Sequence, residues 1–323
     1  MTYLLLVAGL ALLLVGGELL VRGSVAVARR LGLSEMLIGL TLVGFGTSVP
    51  ELVTSLQALN VGSVGVAVGN VVGSNIANIL LIIGLASVLC PIITRPREIA
   101  RDMVMMMVAT VILIALAWFD MFTRPAGIAM VVLLIAYVVT SVIRDRAGAP
   151  EGAMHEAEGE DVAAPQSLWI GLAFAIAGIA GVIYGANLLV ENAVKLARIA
   201  GISETIIGLT IVAVGTSLPE LVTSVMAALR KKADIALGNV IGSNIFNVLG
   251  ILGLVSAIKP FSITTPIGGG GSLLTIGDLG MLLLSALLLV LFSVTGKRIA
   301  RWEGFVLLAG YGLYMAFLFG LNT

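Results

Sequence analysis

The chain has 323 residues, 59% of them hydrophobic and only 11% charged, with a mean hydropathy of +1.14; soluble domains carry about a quarter charged residues, so the composition is that of a membrane protein. Eighteen Lys and Arg balance 18 Asp and Glu, which excludes a basic nucleic-acid face or a polyacidic tail. One cysteine, Cys90, and one histidine, His155, exclude an internal disulfide, a thiolate cage and a multi-histidine zinc site.

A stretch of about 20 apolar residues crosses the hydrocarbon of a bilayer, and ten such stretches follow one another along the chain, at 3–28, 33–59, 66–90, 99–119, 126–144, 167–192, 204–229, 236–258, 273–295 and 302–320. The first has no basic residue before it and stays apolar past Gly16, so it reads as a retained span rather than a signal peptide. Between the fifth and sixth, a segment with Glu151, Glu156, Glu158, Glu160 and Asp161 lacks apolar periodicity and reads as a solvated linker that also holds His155. Loops after odd-numbered spans carry 13 of the 18 basic residues. The positive-inside rule then puts those loops and the linker in the cytoplasm and both termini outside.

The run IGLTLVGFGTSVPELVTS from Ile38 returns as IGLTIVAVGTSLPELVTS from Ile207, and GNVVGSNIAN from Gly69 as GNVIGSNIFN from Gly238, both at an offset of 169 residues. Across the ungapped alignment of 38–85 with 207–254, 28 of 48 pairs are identical, polar residues included. The chain is therefore a duplicated five-span unit, with repeat one at 1–144, an acidic linker at 145–166 and repeat two at 167–323 in a single transmembrane domain. Five is odd, so the copies enter the membrane from opposite sides. Inverted repeats with interrupted helices are a secondary-transporter architecture.

Glu51 and Glu220 stand in otherwise uncharged spans, where an acidic group costs roughly 2.5–3.5 kcal/mol even on a lenient scale. Each follows Gly-Thr-Ser-x-Pro, a sequence that breaks a helix and restarts it just before Pro50 or Pro219, leaving Ser48 and Ser217 at N-caps. Ser-x-x-Glu is also a capping box, which would give the carboxylates a purely structural role. Asn70, Ser74 and Asn78, and likewise Asn239, Ser243 and Asn247, fall on one helix face, and Asn75 and Asn244 suit interhelical hydrogen bonding. Gly69-x-x-x-Gly73 and Gly238-x-x-x-Gly242 are patterns that permit close helix approach. Glu18 and Arg22, four apart on the first span, suit a mutual ion pair. Two carboxylates with hydroxyl, amide and freed carbonyl oxygens suit Ca²⁺ or Na⁺ rather than a soft metal.

GTSVPE with GNVVGSN, and GTSLPE with GNVIGSN, resemble the two alpha-repeats of the calcium/cation antiporter superfamily, in particular its prokaryotic sodium/calcium exchanger branch. The resemblance implies an all-α polytopic protein of ten transmembrane helices, arranged as two inverted five-helix repeats with broken helices at the ion site. It further implies that Glu51 and Glu220 bind Ca²⁺ with the carbonyls of Thr47 and Thr216. Na⁺ would be held by Ser48, Ser74, Ser217 and Ser243 with the carbonyls of Gly44 and Ala213. Asn78 and Asn247 line the site, both Asn where some relatives carry one Asp. The first and sixth helices would move against a fixed core. The chain thus reads as an electrogenic antiporter of a prokaryotic inner membrane, exchanging three Na⁺ for one Ca²⁺, not an enzyme, with no cofactor and with membrane lipid and its ions as partners. Ca²⁺/H⁺ exchange through the same Glu pair is the rival, disfavoured because Leu52 and Leu221 stand where the proton-coupled branch places His; a cation channel is a more distant one.

Overall fold

A computed structural model describes residues 2–148, 165, 167–200, 215–263 and 275–321. Most of the linker with His155, the beginning of the seventh expected span and Ala213 lie outside the described residues. The helices are α1 (Thr2–Leu31), α2 (Glu35–Thr47), α3 (Val49–Asn60), α4 (Val64–Leu89), α5 (Pro96–Trp118), α6 (Arg124–Gly148), α7 (Leu168–Ile199), α8 (Leu218–Leu229), α9 (Ala233–Ile258), α10 (Ile276–Thr295) and α11 (Arg301–Leu321). Among the described residues seven of these are long and apolar enough to span a bilayer, and α2 with α3 makes an eighth as a pair bent by 41°. The bend falls at Ser48, where Gly46 and Pro50 flank it, as the Gly and Pro positions predict.

Local chemistry sets the helix starts. Ser34 Oγ accepts from Leu37 N–H at 3.1 Å to open α2, Pro96 fills the first turn of α5, and Thr275 with Asp278 forms a complete capping box on α10. Stretches of π-helix occupy Gly39–Val43, Asn78–Ile83 and Phe246–Leu252. The second and third fall at matching positions of the two repeats and carry Asn78 and Asn247. Such widened turns are frequent at functional sites because they redirect side chains that a regular helix would stack.

The chain divides into two compact units, Met1–Pro50 with Val142–Asn239 and Glu51–Ser141 with Val240–Thr323, each drawing on both repeats. In the first unit α1 and α7 lie antiparallel along an unbroken contact built on glycines seven apart, Gly9, Gly16 and Gly23 on α1 and Gly171, Gly178 and Gly185 on α7. A Cβ on Gly16 would sit 2.7 Å from Val182 N, and one on Gly185 would sit 2.8 Å from Leu13 N. Backbone meets backbone here, which in lipid maximises van der Waals contact where no hydrophobic driving force separates protein from solvent. Gly69 is the contrast, since a Cβ there meets nothing within 4 Å among the described residues. Gly16→Ala is therefore expected to destabilise the protein by about 1–3 kcal/mol, whereas Gly69→Ala is expected to be neutral or to stabilise α4 by up to about 1 kcal/mol. Thermal unfolding in detergent measures both, and equal shifts would refute the zipper.

Polar contacts tie the loops of this unit together. Lys232 Nζ reaches Glu35 Oε1 at 3.0 Å, and Ser34 N–H donates to Asp145 Oδ2 at 2.6 Å. Glu18 pairs with Arg22 at 2.7 Å as its spacing suggests, and additionally accepts two bonds from Arg230, at 2.7 and 3.0 Å. This three-residue cluster satisfies the acidic group far better than the local pair alone.

In the second unit the loops after α4 and α10 are clasped by a two-stranded antiparallel ribbon, β1 (Ile92–Ile93) with β2 (Arg298–Ile299). At the other ends of these helices, Lys259 Nζ donates to Leu59 O at 3.4 Å, and Phe122 stacks on Phe261 at 4.7 Å. Two repeat-like latches lie between the helices. Tyr137 on α6 donates to Asp102 on α5 at 2.6 Å, and Tyr314 on α11 donates to Asp278 on α10 at 2.9 Å. All four side chains are buried, so each hydroxyl meets the hydrogen-bonding need of a carboxylate that lipid cannot supply.

Candidate cation site

The sequence-selected residues fall into two groups, one in each unit. In the first unit Thr47 and Ser48 end α2, Thr216 and Ser217 precede α8, and Glu220 lies in the first turn of α8. Glu220 and Ser48 are about 1% exposed or less. Ser48 Oγ donates to Glu220 Oε1 at 3.0 Å, so this hydroxyl reaches across from repeat one to the carboxylate of repeat two. Glu220 Oε2 has no hydrogen-bond partner among the described residues.

The capping-box alternative fails on this geometry at Ser217. Ser217 does hold the N-cap position of α8, but its side chain makes no capping bond and Oγ is buried without a partner among the described residues. Ser48 donates its hydroxyl proton to Glu220 of the other repeat. The physical reason lies in the backbone at both serines, φ −82°, ψ 7° and φ −90°, ψ 7°. A capping residue needs the extended conformation to fold its oxygen back on the following N–H groups.

Asn239 holds the carboxylate's segment in place. Its Nδ2 donates to Glu220 O at 3.2 Å and to Ser224 Oγ at 2.8 Å, while its Oδ1 lies 3.2 Å from Thr47 Oγ1. The second unit repeats the device, with Asn70 Nδ2 donating to Glu51 O at 3.1 Å and to Ser55 Oγ at 3.1 Å. The Glu and Ser partners of one clamp are the 169-residue counterparts of those of the other, and the contact with Thr47 is made by Asn239. The clamp occupies one carbonyl of the first helical turn and fixes the Glu-bearing segment against its neighbour. Sequence alone put Asn70 and Asn239 on a polar face without finding this role; the signal available was that Ser55 and Ser224 are duplicated with them.

In the second unit Glu51 is buried, as are Ser74, Asn75, Asn78, Ser243, Asn244 and Asn247. The four Asn form a closed lattice. Asn75 Nδ2 donates to Asn244 O at 3.2 Å, and Asn244 Nδ2 to Asn75 O at 3.4 Å. Asn78 Nδ2 donates to Asn244 Oδ1 at 3.0 Å, and Asn247 Nδ2 to Asn75 Oδ1 at 2.9 Å. Asn75 and Asn244 thus serve as the interhelical hydrogen bonds expected of them. Because their amide nitrogens must face carbonyls, their oxygens must face the other pair. That fixes Asn78 and Asn247 with Nδ2 inward and Oδ1 turned away, buried and without a hydrogen-bond partner among the described residues. Two aligned acceptors without donors are costly unless something electropositive meets them.

Some expectations need amendment. The Gly44 carbonyl, implied as a Na⁺ ligand, already accepts Ser48 N–H at 3.2 Å and lies 3.4 Å from the Thr47 hydroxyl that donates to it. The glycine pattern at Gly69 and Gly73 brings no backbone close among the described residues, since a Cβ at either meets nothing within 4 Å; at Gly238 a Cβ would sit 2.9 Å from Leu40 N. Gly44 and Ala in the matching place differ, but Ala213 lies outside the described residues.

Buried carboxylates beside a helix break, with duplicated oxygen-bearing side chains and nothing soft, belong to a polytopic membrane protein of the ion-transporter class. The model of the sodium/calcium exchanger protein family matches residues 1–143 and 170–320, and the chain belongs to that family, in the prokaryotic branch of the calcium/cation antiporter superfamily. It is 36% identical to the putative antiporter CaxA of Alkalimonas amylolytica, over 96% of each chain. It is 35% identical to the sodium/calcium exchanger MaX1 of Methanosarcina acetivorans, over 98% of each. Its fold matches that of the sodium-calcium exchanger NCX_Mj, soaked with Na⁺ and Ca²⁺, with a TM-score of 0.81 and 32% identity over 98% of this chain and 97% of that one.

Proposed function

We propose that this protein is a secondary active antiporter that moves Ca²⁺ against Na⁺ by alternating access, with Glu51 and Glu220 as the charged ligands of the Ca²⁺ site. The observation that carries this reading is the pair of matching Asn clamps, each holding the first turn of a helix on which a buried Glu sits. Around these carboxylates the carbonyls of Thr47 and Thr216 complete an oxygen cage for Ca²⁺. Ser48, Ser74, Ser217 and Ser243, the Gly44 and Ala213 carbonyls, and the free Oδ1 atoms of Asn78 and Asn247 offer further oxygens for Na⁺. The glycine-zipped α1 and α7 are the pair that shifts during the cycle, moving as one body because neither can slide on the other without backbone collision.

The ten-span inverted arrangement belongs to the same proposal. It is supported by the loop contacts of each unit, which join loops after odd-numbered spans to one another and loops after even-numbered spans to one another. With the linker cytoplasmic in a prokaryotic inner membrane, a cysteine at Ala153 is expected to resist an impermeant thiol reagent in intact cells and one at Ser63 to react; the reverse pattern would overturn the orientation.

The deciding experiment for the coupling ion is ⁴⁵Ca uptake into proteoliposomes under separately imposed Na⁺, K⁺ and proton gradients. Uptake driven by an inside-high Na⁺ gradient is expected. Uptake driven by a pH gradient and indifferent to Na⁺ would establish Ca²⁺/H⁺ exchange through the same carboxylates.

A further inference from the structure

An apolar groove of about 500 Å³ runs along the outside of the second unit between α5 and α10, lined by Pro96, Met103, Met107 and Ile112 on one side and Val290 and Val294 on the other. The volume is that of a small-molecule site, roughly 300–1,000 Å³. From Pro96 to Ile112 it follows about 24 Å of helix, deeper than one leaflet of a hydrocarbon core about 30 Å thick. Val104, Val111 and Val294 along it are more than half exposed, so it opens outward rather than into the helix packing.

At its Pro96 end sits the β1–β2 clasp, which gathers Arg95, Arg97, Lys297, Arg298 and Arg301, all exposed, around a single exposed acid, Glu98. Arg95 pairs with Glu98 at 3.4 Å and Arg301 Nε donates to Val88 O at 3.1 Å. Arg97, Lys297 and Arg298 have no ion pair or side-chain hydrogen bond among the described residues. Lys297 adopts φ 55°, a conformation glycine takes more readily, so the turn itself does not call for lysine. Thr94 secures it, its N–H donating to Lys297 O at 2.9 Å and its hydroxyl to Ser293 O at 2.8 Å. Exposed Trp302, edge-on to Phe292, marks this level as the membrane–water interface, where tryptophan concentrates.

We propose that the α5–α10 groove and the clasp above it bind one anionic glycerophospholipid, an acyl chain filling the groove and the phosphate resting on Arg97, Lys297 and Arg298. Charge complementarity selects the occupant. A zwitterionic lipid satisfies the groove equally well but brings no net charge to the three cations, whereas an anionic headgroup fills the groove and brings a net negative charge to them. The juxtaposition is independent of the ion site and of which ion is carried.

Native mass spectrometry of the full-length protein in neutral detergent, given equal amounts of dioleoylphosphatidylglycerol and dioleoylphosphatidylcholine, tests this. The phosphatidylglycerol adduct is expected to dominate by about tenfold or more, as basic residues at a membrane surface favour anionic lipid. Arg97→Gln with Lys297→Gln is expected to bring the ratio near one, and Arg97→Lys to preserve it. Ala100→Trp, which fills the groove from an exposed lining position, is expected to weaken retention of both lipids; it decides alone if the double variant fails to elute as a monodisperse species. Equal retention of the two lipids by the unaltered protein, or a preference that survives both the charge and the groove changes, would overturn the proposal, as would displacement by soluble glycerol 3-phosphate, which shows a phosphate site with no acyl component.

Discussion

Glu220→Gln is expected to abolish Ca²⁺ transport while leaving the protein folded and, if anything, more stable. Gln keeps the volume of the side chain and the oxygen that accepts from Ser48 Oγ at 3.0 Å. The backbone carbonyl of residue 220 still accepts from Asn239 Nδ2, so the clamp survives. The change falls on Oε2, which is buried with no hydrogen-bond partner among the described residues and which becomes an NH₂ group, turning an anionic acceptor into a donor aimed at the cation. Losing one member of a buried charge pair costs about 2–5 kcal/mol, or roughly a 30- to several-thousandfold fall in apparent Ca²⁺ affinity. Stability moves the other way, because an ionised carboxylate held out of water without a cation is a standing desolvation cost that the amide removes. Glu51→Gln is expected to behave alike, since Asn70 holds its carbonyl as Asn239 holds that of Glu220. Calcium-dependent thermal shift and ⁴⁵Ca uptake on the same preparations read both effects. A Gln variant that unfolds gives the carboxylates a structural role, and one that is folded and fully active removes them from the Ca²⁺ site.

The candidate site is the most legible part of the chain because its residues are written twice. A single buried Glu in an apolar span admits several explanations, but two, each followed at equal distance by Asn and Ser, select residues by function and not by lipid exposure. The break at Ser48 was legible for a related reason, since Gly and Pro act through the local backbone. Side-chain direction at the break was not. Whether Ser48 turns back on its own helix or outward to Glu220 depends on a residue 172 positions away, and both outcomes use the same tripeptide. The latches Tyr137–Asp102 and Tyr314–Asp278 were missed entirely. Asp102 sits beside Arg101 and Asp278 two residues before Gly280, so in sequence they look like ordinary helix-end charges, and only the packing of α6 on α5 and of α11 on α10 reveals their partners. The seven-residue glycine spacing of α1 and α7 is present in the sequence but carries little signal there, because each glycine in a membrane helix is individually commonplace, and only the antiparallel matching of the two series gives them meaning.

The other large expected effect is that transport carries net charge and answers to membrane potential. In the proposed site two ionised carboxylates supply a charge of −2. One Ca²⁺ neutralises it, and three Na⁺ leave a single positive charge, so each full exchange of three Na⁺ for one Ca²⁺ moves one elementary charge in the direction of Na⁺. Enough oxygen is present for three small cations without further acid. The Oδ1 atoms of Asn78 and Asn247 and the Oγ of Ser217, without hydrogen-bond partners among the described residues, are neutral acceptors, suited to Na⁺ and unable to serve as proton carriers near neutral pH. A potential biases the exchange by about 2.3 kcal/mol per 100 mV, close to a fiftyfold change in the Ca²⁺ gradient that a fixed Na⁺ gradient sustains. In proteoliposomes loaded with Na⁺, Ca²⁺ uptake is therefore expected to accelerate when valinomycin and inward K⁺ make the interior positive, because the exiting Na⁺ expels that charge, and to slow when the interior is made negative. Uptake that depends on Na⁺ but ignores potential would mean only two Na⁺ bind, one for each carboxylate, with the two Asn oxygens serving Ca²⁺ alone. That result would retain Na⁺ coupling and remove the third ion, and Asn78→Asp would then be the variant in which an added carboxylate is expected to change the charge moved per cycle.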